Sequence, residues 1–205
     1  GHSPTRYFVW DGIRCVDYLL TREEVDPERI GMTGRSGGGT QTAYTAAVDE
    51  RILAAAPECF ITRMEYVLKS IGPQDAEQNL IHMISEGLDH ADLLEVRAPL
   101  PCLMITTTRD FFSIQGARET FSEVKQFYEG LGEEEHIHMV EDDAEHMSTL
   151  KNREAMYAFF QKYLDNPGSP TDQDVEVLNE KELWVTESGQ LATSLKSETI
   201  YALNR

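Results

Sequence analysis

Hydrophobic positions along the chain fall into two periods. Val9, Ile13, Val16 and Leu20 recur at helical spacing, so residues 5 to 22 predict a helix with one apolar stripe. "EVDPERI" breaks that pattern as a loop, with Asp26-Pro27 as its turn signal. Short apolar runs at "RIGMTG", "RILAAAPECF" and "LPCLMITTTRD" predict three strands, and the alternation of "EHIHMVED" predicts a fourth. Between them, "TQTAYTAAVD" is helix-prone, and residues 114 to 131 align Ala117, Phe121, Val124, Tyr128 and Leu131 on one helical face. A last helix is expected over 149 to 164, with Met156, Phe159, Phe160, Tyr163 and Leu164 facing inward. Residues 61 to 97 read as two or three helices with loops near Gly72-Pro73 and Gly87.

Strands that alternate with helices predict βαβ units. The expected class is α/β: a parallel sheet of about four strands with helices on both faces. Residues 1–165 carry this pattern and form the expected catalytic domain. After "NPGSPTDQD" the period is lost, so 166–205 reads as an acidic extension or linker, an arm or a lead into another domain.

Composition narrows the partners. The chain has 205 residues, 40% of them hydrophobic, enough for one domain with a core. Its 36 acidic against 18 basic side chains give a net charge of −18, which argues against nucleic acid and against an anionic membrane surface. The acidic runs read as solvated surface. No apolar run approaches the roughly 20 residues that span a bilayer. No secretory signal opens the sequence, whose first residues read like the middle of a protein. Cys15, Cys59 and Cys102 lack metal-type spacing and sit among apolar neighbours, so each is expected as a buried thiol; the redox compartment stays open.

The densest chemistry lies in "RIGMTGRSGGGTQTAY". Gly34-Arg35-Ser36-Gly37-Gly38 matches G-x-S-x-G between a strand and a helix, the context of a nucleophile elbow. The serine is expected in a strained conformation, with small Gly34 and Gly38 letting strand and helix approach. The Gly37 N–H then points to where an oxyanion would form, aided by the helix N-terminus. A glycine-rich turn that binds phosphate or merely turns is the bland alternative, but neither P-loop nor dinucleotide spacing fits.

A serine needs a base, and the base a carboxylate. In this architecture the chain order is Ser, acid, His. Asp110 follows the third strand and His146 follows the fourth, both at the sheet edge that carries Ser36. Asp110 has a competing role as a turn cap, and Glu58, ending the second strand, is the alternative acid. His146 lies among Glu141, Asp142, Asp143 and Glu145, where a plain surface histidine is the alternative. His136 and His138 would share a strand face, yet no third metal ligand accompanies them, so no metal is called.

"WDGIRCVDYLLTREEVDPERIGMTGRSGGGTQTAYTAAVDERI", "LPCLMITTTRDFFSIQGARETF" and "DDAEHMSTLKNREAMYAFFQKYL" together resemble the C-terminal part of the bacterial α/β-hydrolases grouped with acetyl xylan esterases and dienelactone-hydrolase-like esterases. The likeness runs over about residues 7 to 165. It implies Ser36 as nucleophile, Asp110 as acid and His146 as base, no cofactor, and hydrolysis of carboxylic esters such as acetyl groups on carbohydrate. The elbow is shared with prolyl-oligopeptidase-type peptidases, which stay open beside a non-catalytic module and a structural fragment. A periplasmic or secreted location fits the parent protein of such a family.

Two departures carry consequences. Glu145 precedes the histidine where the family usually has a small residue or proline. The family sheet has about eight strands and this chain supplies the last four, without a loop for the second oxyanion donor. The elbow strand is therefore expected at an exposed edge, which invites self-association.

Overall fold

Four parallel strands follow one another in space as they do in sequence: β1 (Gly31–Arg35), β2 (Ala54–Glu58), β3 (Cys102–Thr107) and β4 (Ile137–Asp142), in the order β1-β2-β3-β4. The computed structural model describes residues 2–70 and 74–205. The loop expected at Gly72-Pro73 lies outside them. The class read from the alternation holds: this is a partial α/β-hydrolase fold.

Helices cover both faces because the two central strands, β2 and β3, are buried along their whole length, as parallel strands between two layers must be. On one face, Cys102 and Met104 meet Ala43 and Tyr44 of α2 (Gly37–Val48), Leu94 of α4 (His90–Glu95), and Val124 and Tyr128 of α5 (Ile114–Leu131). On the other, Ala54, Ala56, Leu103 and Ile105 meet Met156, Phe159 and Phe160 of α6 (Leu150–Tyr163). Each large apolar side chain taken fully out of water stabilises the domain by roughly 1.5–3 kcal/mol.

Helix α1 (Pro4–Leu19) ends three residues earlier than its apolar pattern suggests. Its buried line runs through Thr5, whose hydroxyl donates to the Asn79 carbonyl, and through Gly12 and Val16, which rest on α2, while Leu20 stays exposed. Cys15 is exposed on the same helix, so only Cys59 and Cys102 are the buried thiols expected. Leu131 is exposed at the end of α5, where Gly132 in the left-handed region closes the helix. The 61–97 region yields α3 (Met64–Ser70), a 3-10 turn (Ala76–Gln78) and α4.

The fourth strand starts later than its alternation suggests. His136 belongs to a 3-10 turn beside Glu133, and only His138 is in β4, bonded to the Tyr163 hydroxyl at 2.7 Å.

Beyond α6 no residue is buried. The extension runs back along α6, where Arg153 and Tyr157 hold Asp172. It then forms two short helices, α7 (Leu191–Leu195) and α8 (Ile200–Leu203), and Asn204 accepts hydrogen bonds from the His2 N–H and the Tyr7 hydroxyl.

Candidate active site

The carboxyl ends of the four strands each deliver one chemically useful side chain. Ser36 follows β1 with φ 57° and ψ −117°, a strained conformation for a residue with a Cβ. Its N–H donates to the Glu58 carbonyl at 2.9 Å, extending the β1–β2 ladder by one residue. Helix α2 begins at once, so the first N–H groups at Gly37 and beyond have no partner within the helix. The close approach falls on Gly34, as expected, and on Gly39 in place of Gly38. A Cβ on Gly34 would lie 2.6 Å from the Gly38 backbone, and one on Gly39 would lie 2.4 Å from the Glu58 carbonyl oxygen. At Gly37 and Gly38 a Cβ would meet nothing within 4 Å, so Gly38 serves through its backbone, not its own lack of a side chain.

On the next strand, Cys59 takes the position beside Ser36 and also has positive φ, 50°. The sequence marks it only as an apolar-context thiol. Its Sγ lies 3.7 Å from the Thr107 hydroxyl and 3.9 Å from the Met147 carbonyl. Burial pushes the thiol up to about 12, so it stays protonated and a poor nucleophile.

Asp110 follows β3. Its side chain is 2% exposed and is held three ways. The Phe112 N–H donates to one oxygen at 3.0 Å, the Thr107 hydroxyl to the other at 3.3 Å, and His146 Nδ1 lies 2.9 Å from both. The turn-capping role and the contact with histidine therefore coexist. A carboxylate only accepts, so Nδ1 carries the proton and Nε2 keeps its lone pair.

His146 stands in the loop after β4, its side chain 22% exposed. The loop is fixed to the β3 turn by backbone bonds, Thr108 N–H to the Asp142 carbonyl and Arg109 N–H to the Ala144 carbonyl. Asn152, fully buried at the start of α6, ties that helix to the Thr106 carbonyl at 3.0 Å. The acidic run around the histidine is largely partnered: Glu141 with Arg118 at 2.8 Å, Asp143 with Arg109 at 3.4 Å. Glu145 is exposed. The half-exposed Phe111 ring stacks on the imidazole at 4.4 Å, a contact that no periodicity announces.

Glu58 occupies a different place. It is 6% exposed, and burial raises its carboxyl above the ordinary glutamate range, against the lowering effects of Ser148, Arg35, Arg153 and His146. Among the described residues its Oε1 has no hydrogen-bond partner. It is Asp110, not Glu58, that touches the imidazole.

A concavity of about 400 Å³, lined by Arg109, Asp110, Phe111, Glu145 and His146, opens over the pair. Apolar hollows among the described residues lie elsewhere: one of about 340 Å³ between α1 and the free side of β1, one of about 620 Å³ between α1 and α2, and one of about 440 Å³ where α2, α4 and α5 meet. Among the described residues Ser36 Oγ makes no hydrogen bond, and catalytic contacts of this kind often close only in the substrate complex. No helix is long and apolar enough to cross a membrane among the described residues.

Known proteins share this fold. YtaP of Bacillus subtilis (strain 168), provisionally named a hydrolase, is 25% identical over 161 residues, which cover 76% of this chain and 53% of its own length. The methylesterase BT1017 superposes with a TM-score of 0.66 at 25% identity, over 80% of this chain and 37% of its own. The glucuronoyl esterase catalytic domain from Hypocrea jecorina gives 0.65 at 19% identity, over 86% and 56%, a likeness of fold. The chain thus spans about half the length of the curated relative it matches. Residues 6–167 match the prolyl oligopeptidase family. With that match over most of its length, the chain belongs to the prolyl oligopeptidase family.

Proposed function

We propose that this chain carries the nucleophile and acid–base half of a serine hydrolase that cleaves carboxylic esters of carbohydrate, acetyl esters first among them. The observation that carries the reading is the Asp110–His146 pair, closed at 2.9 Å on the sheet rim that also holds the strained Ser36. His146 Nε2 takes the Ser36 proton as the hydroxyl attacks the ester carbonyl. Asp110 fixes the tautomer and stabilises the imidazolium. The Gly37 N–H and the α2 N-terminus receive the oxyanion. The alcohol leaves with the proton from His146, and water, activated by the same base, releases the acid.

Support for an ester comes from the structural likeness to a methylesterase and to glucuronoyl esterases, which are enzymes of carbohydrate esters by name. A peptidase of the prolyl-oligopeptidase type is the second reading, favoured by the family match itself. The domain is taken as residues 1–165 and the remainder as an appended extension. The substrate is a small-molecule or carbohydrate ester, and the free edge of β1 is the surface through which copies of the chain self-associate.

Ser36→Ala tests the core of this reading. Hydrolysis of p-nitrophenyl acetate should drop to background, and a fluorophosphonate probe should label the natural chain but not the variant. Equal turnover or labelling in both would end the assignment. Release of acetate from acetylated xylan, against cleavage of a prolyl peptide and of a methyl glucuronate ester, decides the substrate.

A further inference from the structure

Among the described residues, one set of three metal-ligating side chains converges: Cys59, Asp110 and His146, whose donor atoms all lie within 4.8 Å of one another. The sheet builds it. Backbone bonding from Cys59 N–H to the Ile105 carbonyl sets the thiol beside the end of β3, and the positive φ of Cys59 is held there against its intrinsic cost. The Thr107 hydroxyl stands between sulfur and carboxylate, 3.7 Å from one and 3.3 Å from the other. The third ligand comes with the loop after β4.

We propose that Cys59, Asp110 and His146 form an inhibitory site for a borderline-soft divalent cation, Zn²⁺ or Cd²⁺. A thiolate, an imidazole nitrogen and a carboxylate oxygen are the donor set such ions take, with water from the concavity above as the fourth ligand. Calcium and magnesium, which want six or more oxygens, do not fit. Donors on one tetrahedral zinc stand roughly 3.3–3.6 Å apart. The Asp110–His146 separation of 2.9 Å must open slightly and the sulfur must close in, a side-chain adjustment within one rim. Binding replaces one proton, that of the Cys59 thiol, which the ion displaces to the buffer against the burial that otherwise keeps it in place; the imidazole stays neutral, giving up its proton at Nδ1 and carrying one at Nε2, so His146 releases none, no other bond breaks and nothing is oxidised. Because Nδ1–H is what Asp110 holds, an ion in its place takes both members of the acid–base pair at once.

Metal binding is read independently of catalysis. In a Cys15→Ser background, which removes the exposed thiol, the 205-residue chain titrated with CdCl₂ should develop a thiolate-to-cadmium ultraviolet band at one ion per chain. Calorimetry with ZnCl₂ should give the same stoichiometry. Cys59→Ala should abolish the band and weaken binding roughly 100-fold or more, and His146→Ala should weaken it to a similar degree while leaving a residual band. Cys59→Ser, closer in shape, repeats the test should the alanine variant not fold by circular dichroism. An undiminished band in both Cys59 variants, or Zn²⁺ affinity unchanged by His146→Ala, overturns the site. Inhibition rests on the hydrolase reading: Zn²⁺ should slow ester turnover reversibly by chelator, and this sensitivity should vanish in Cys59→Ser relative to its own metal-free rate. Cation binding without any ester turnover would leave the site standing and remove the hydrolase reading; equal Zn²⁺ inhibition of both chains would remove the inhibitory role.

Discussion

The two sides of the sheet rim differ in how much of their own surroundings they carry. At the β3–β4 side, Asp110 is buried, accepts from the Phe112 N–H and the Thr107 hydroxyl, and meets an imidazole whose loop is bonded to the neighbouring turn. At the β1 side, the strand is half exposed along its length, pairs among the described residues with β2 alone, and borders an apolar hollow against α1. The Asp110–His146 pair is complete within this chain, whereas Ser36 stands on an open edge. On the mechanism proposed above, activity depends on two separable things, the fixed pair and the support of the elbow.

The largest effect belongs to the fixed pair. Asp110→Asn keeps the shape but favours the wrong tautomer, and kcat on p-nitrophenyl acetate should fall by roughly 10⁴-fold. Glu58→Gln, which leaves the imidazole contact intact, should stay within about tenfold, on the scale of a group acting only through nearby charge. If the two variants exchange these outcomes, Glu58 is the acid and the pairing seen at His146 is a resting arrangement.

Acid should weaken the side that is most tightly packed. His90 is fully buried against Phe60, accepts from the Thr62 N–H at Nδ1, and is pulled down to about 4, chiefly by desolvation with the Asp89 charge opposing. A histidine whose folded pKa lies below its unfolded value binds protons more readily when unfolded. Its contribution is whole above about pH 6.5 and is lost as pH falls towards 4, on the order of 3 kcal/mol in all. His90→Asn keeps an acceptor for Thr62 without the titration. Urea midpoints measured from pH 7 to 4 should fall less steeply in that variant, and parallel curves would discard the assignment.

The elbow side is sharpened by two glycines two residues apart. Gly39→Ala pushes a methyl onto the Glu58 carbonyl and should cost about 1–3 kcal/mol in a denaturant melt, with ester turnover falling alongside. Gly37→Ala enters open space and should be neutral or stabilising by up to about 1 kcal/mol. Equal losses at both would mean that the Ser36 turn packs differently from the geometry described.

The contrast between the sides also marks what the sequence could reveal. The four parallel strands, the serine turn and the late placement of Asp110 and His146 follow from periodicity and chain order, because βαβ connection leaves few topologies. Cys59 escaped because its role comes from register: a thiol one residue past β2 has no local pattern that points to Asp110. Phe111 escaped for the same reason, since stacking on His146 joins two loops 35 residues apart. Gly39 looked like one more glycine in a run until the Glu58 carbonyl appeared against it. His136 was misplaced because alternation continues through a 3-10 turn as easily as through a strand.

The smallest effect concerns the open edge itself. Unpaired N–H and C=O groups on β1, next to a hollow lined by Phe8, Ile30 and Met32, favour pairing with a second copy. A charge of −18 on every copy opposes that contact. The two forces scale differently with salt, because a Debye length of about 10 Å at 0.1 M screens the repulsion and leaves apolar burial almost untouched. Light scattering of the chain should therefore report a mass that rises with concentration and rises further with salt. Phe8→Glu adds repulsion at the hollow and should shift the curve towards monomer, with stability changed by no more than about 1 kcal/mol, since Phe8 is already half exposed. A monomer at every concentration and salt would mean that the edge twist and the charge protect β1 without a partner, and would leave the elbow side self-sufficient after all.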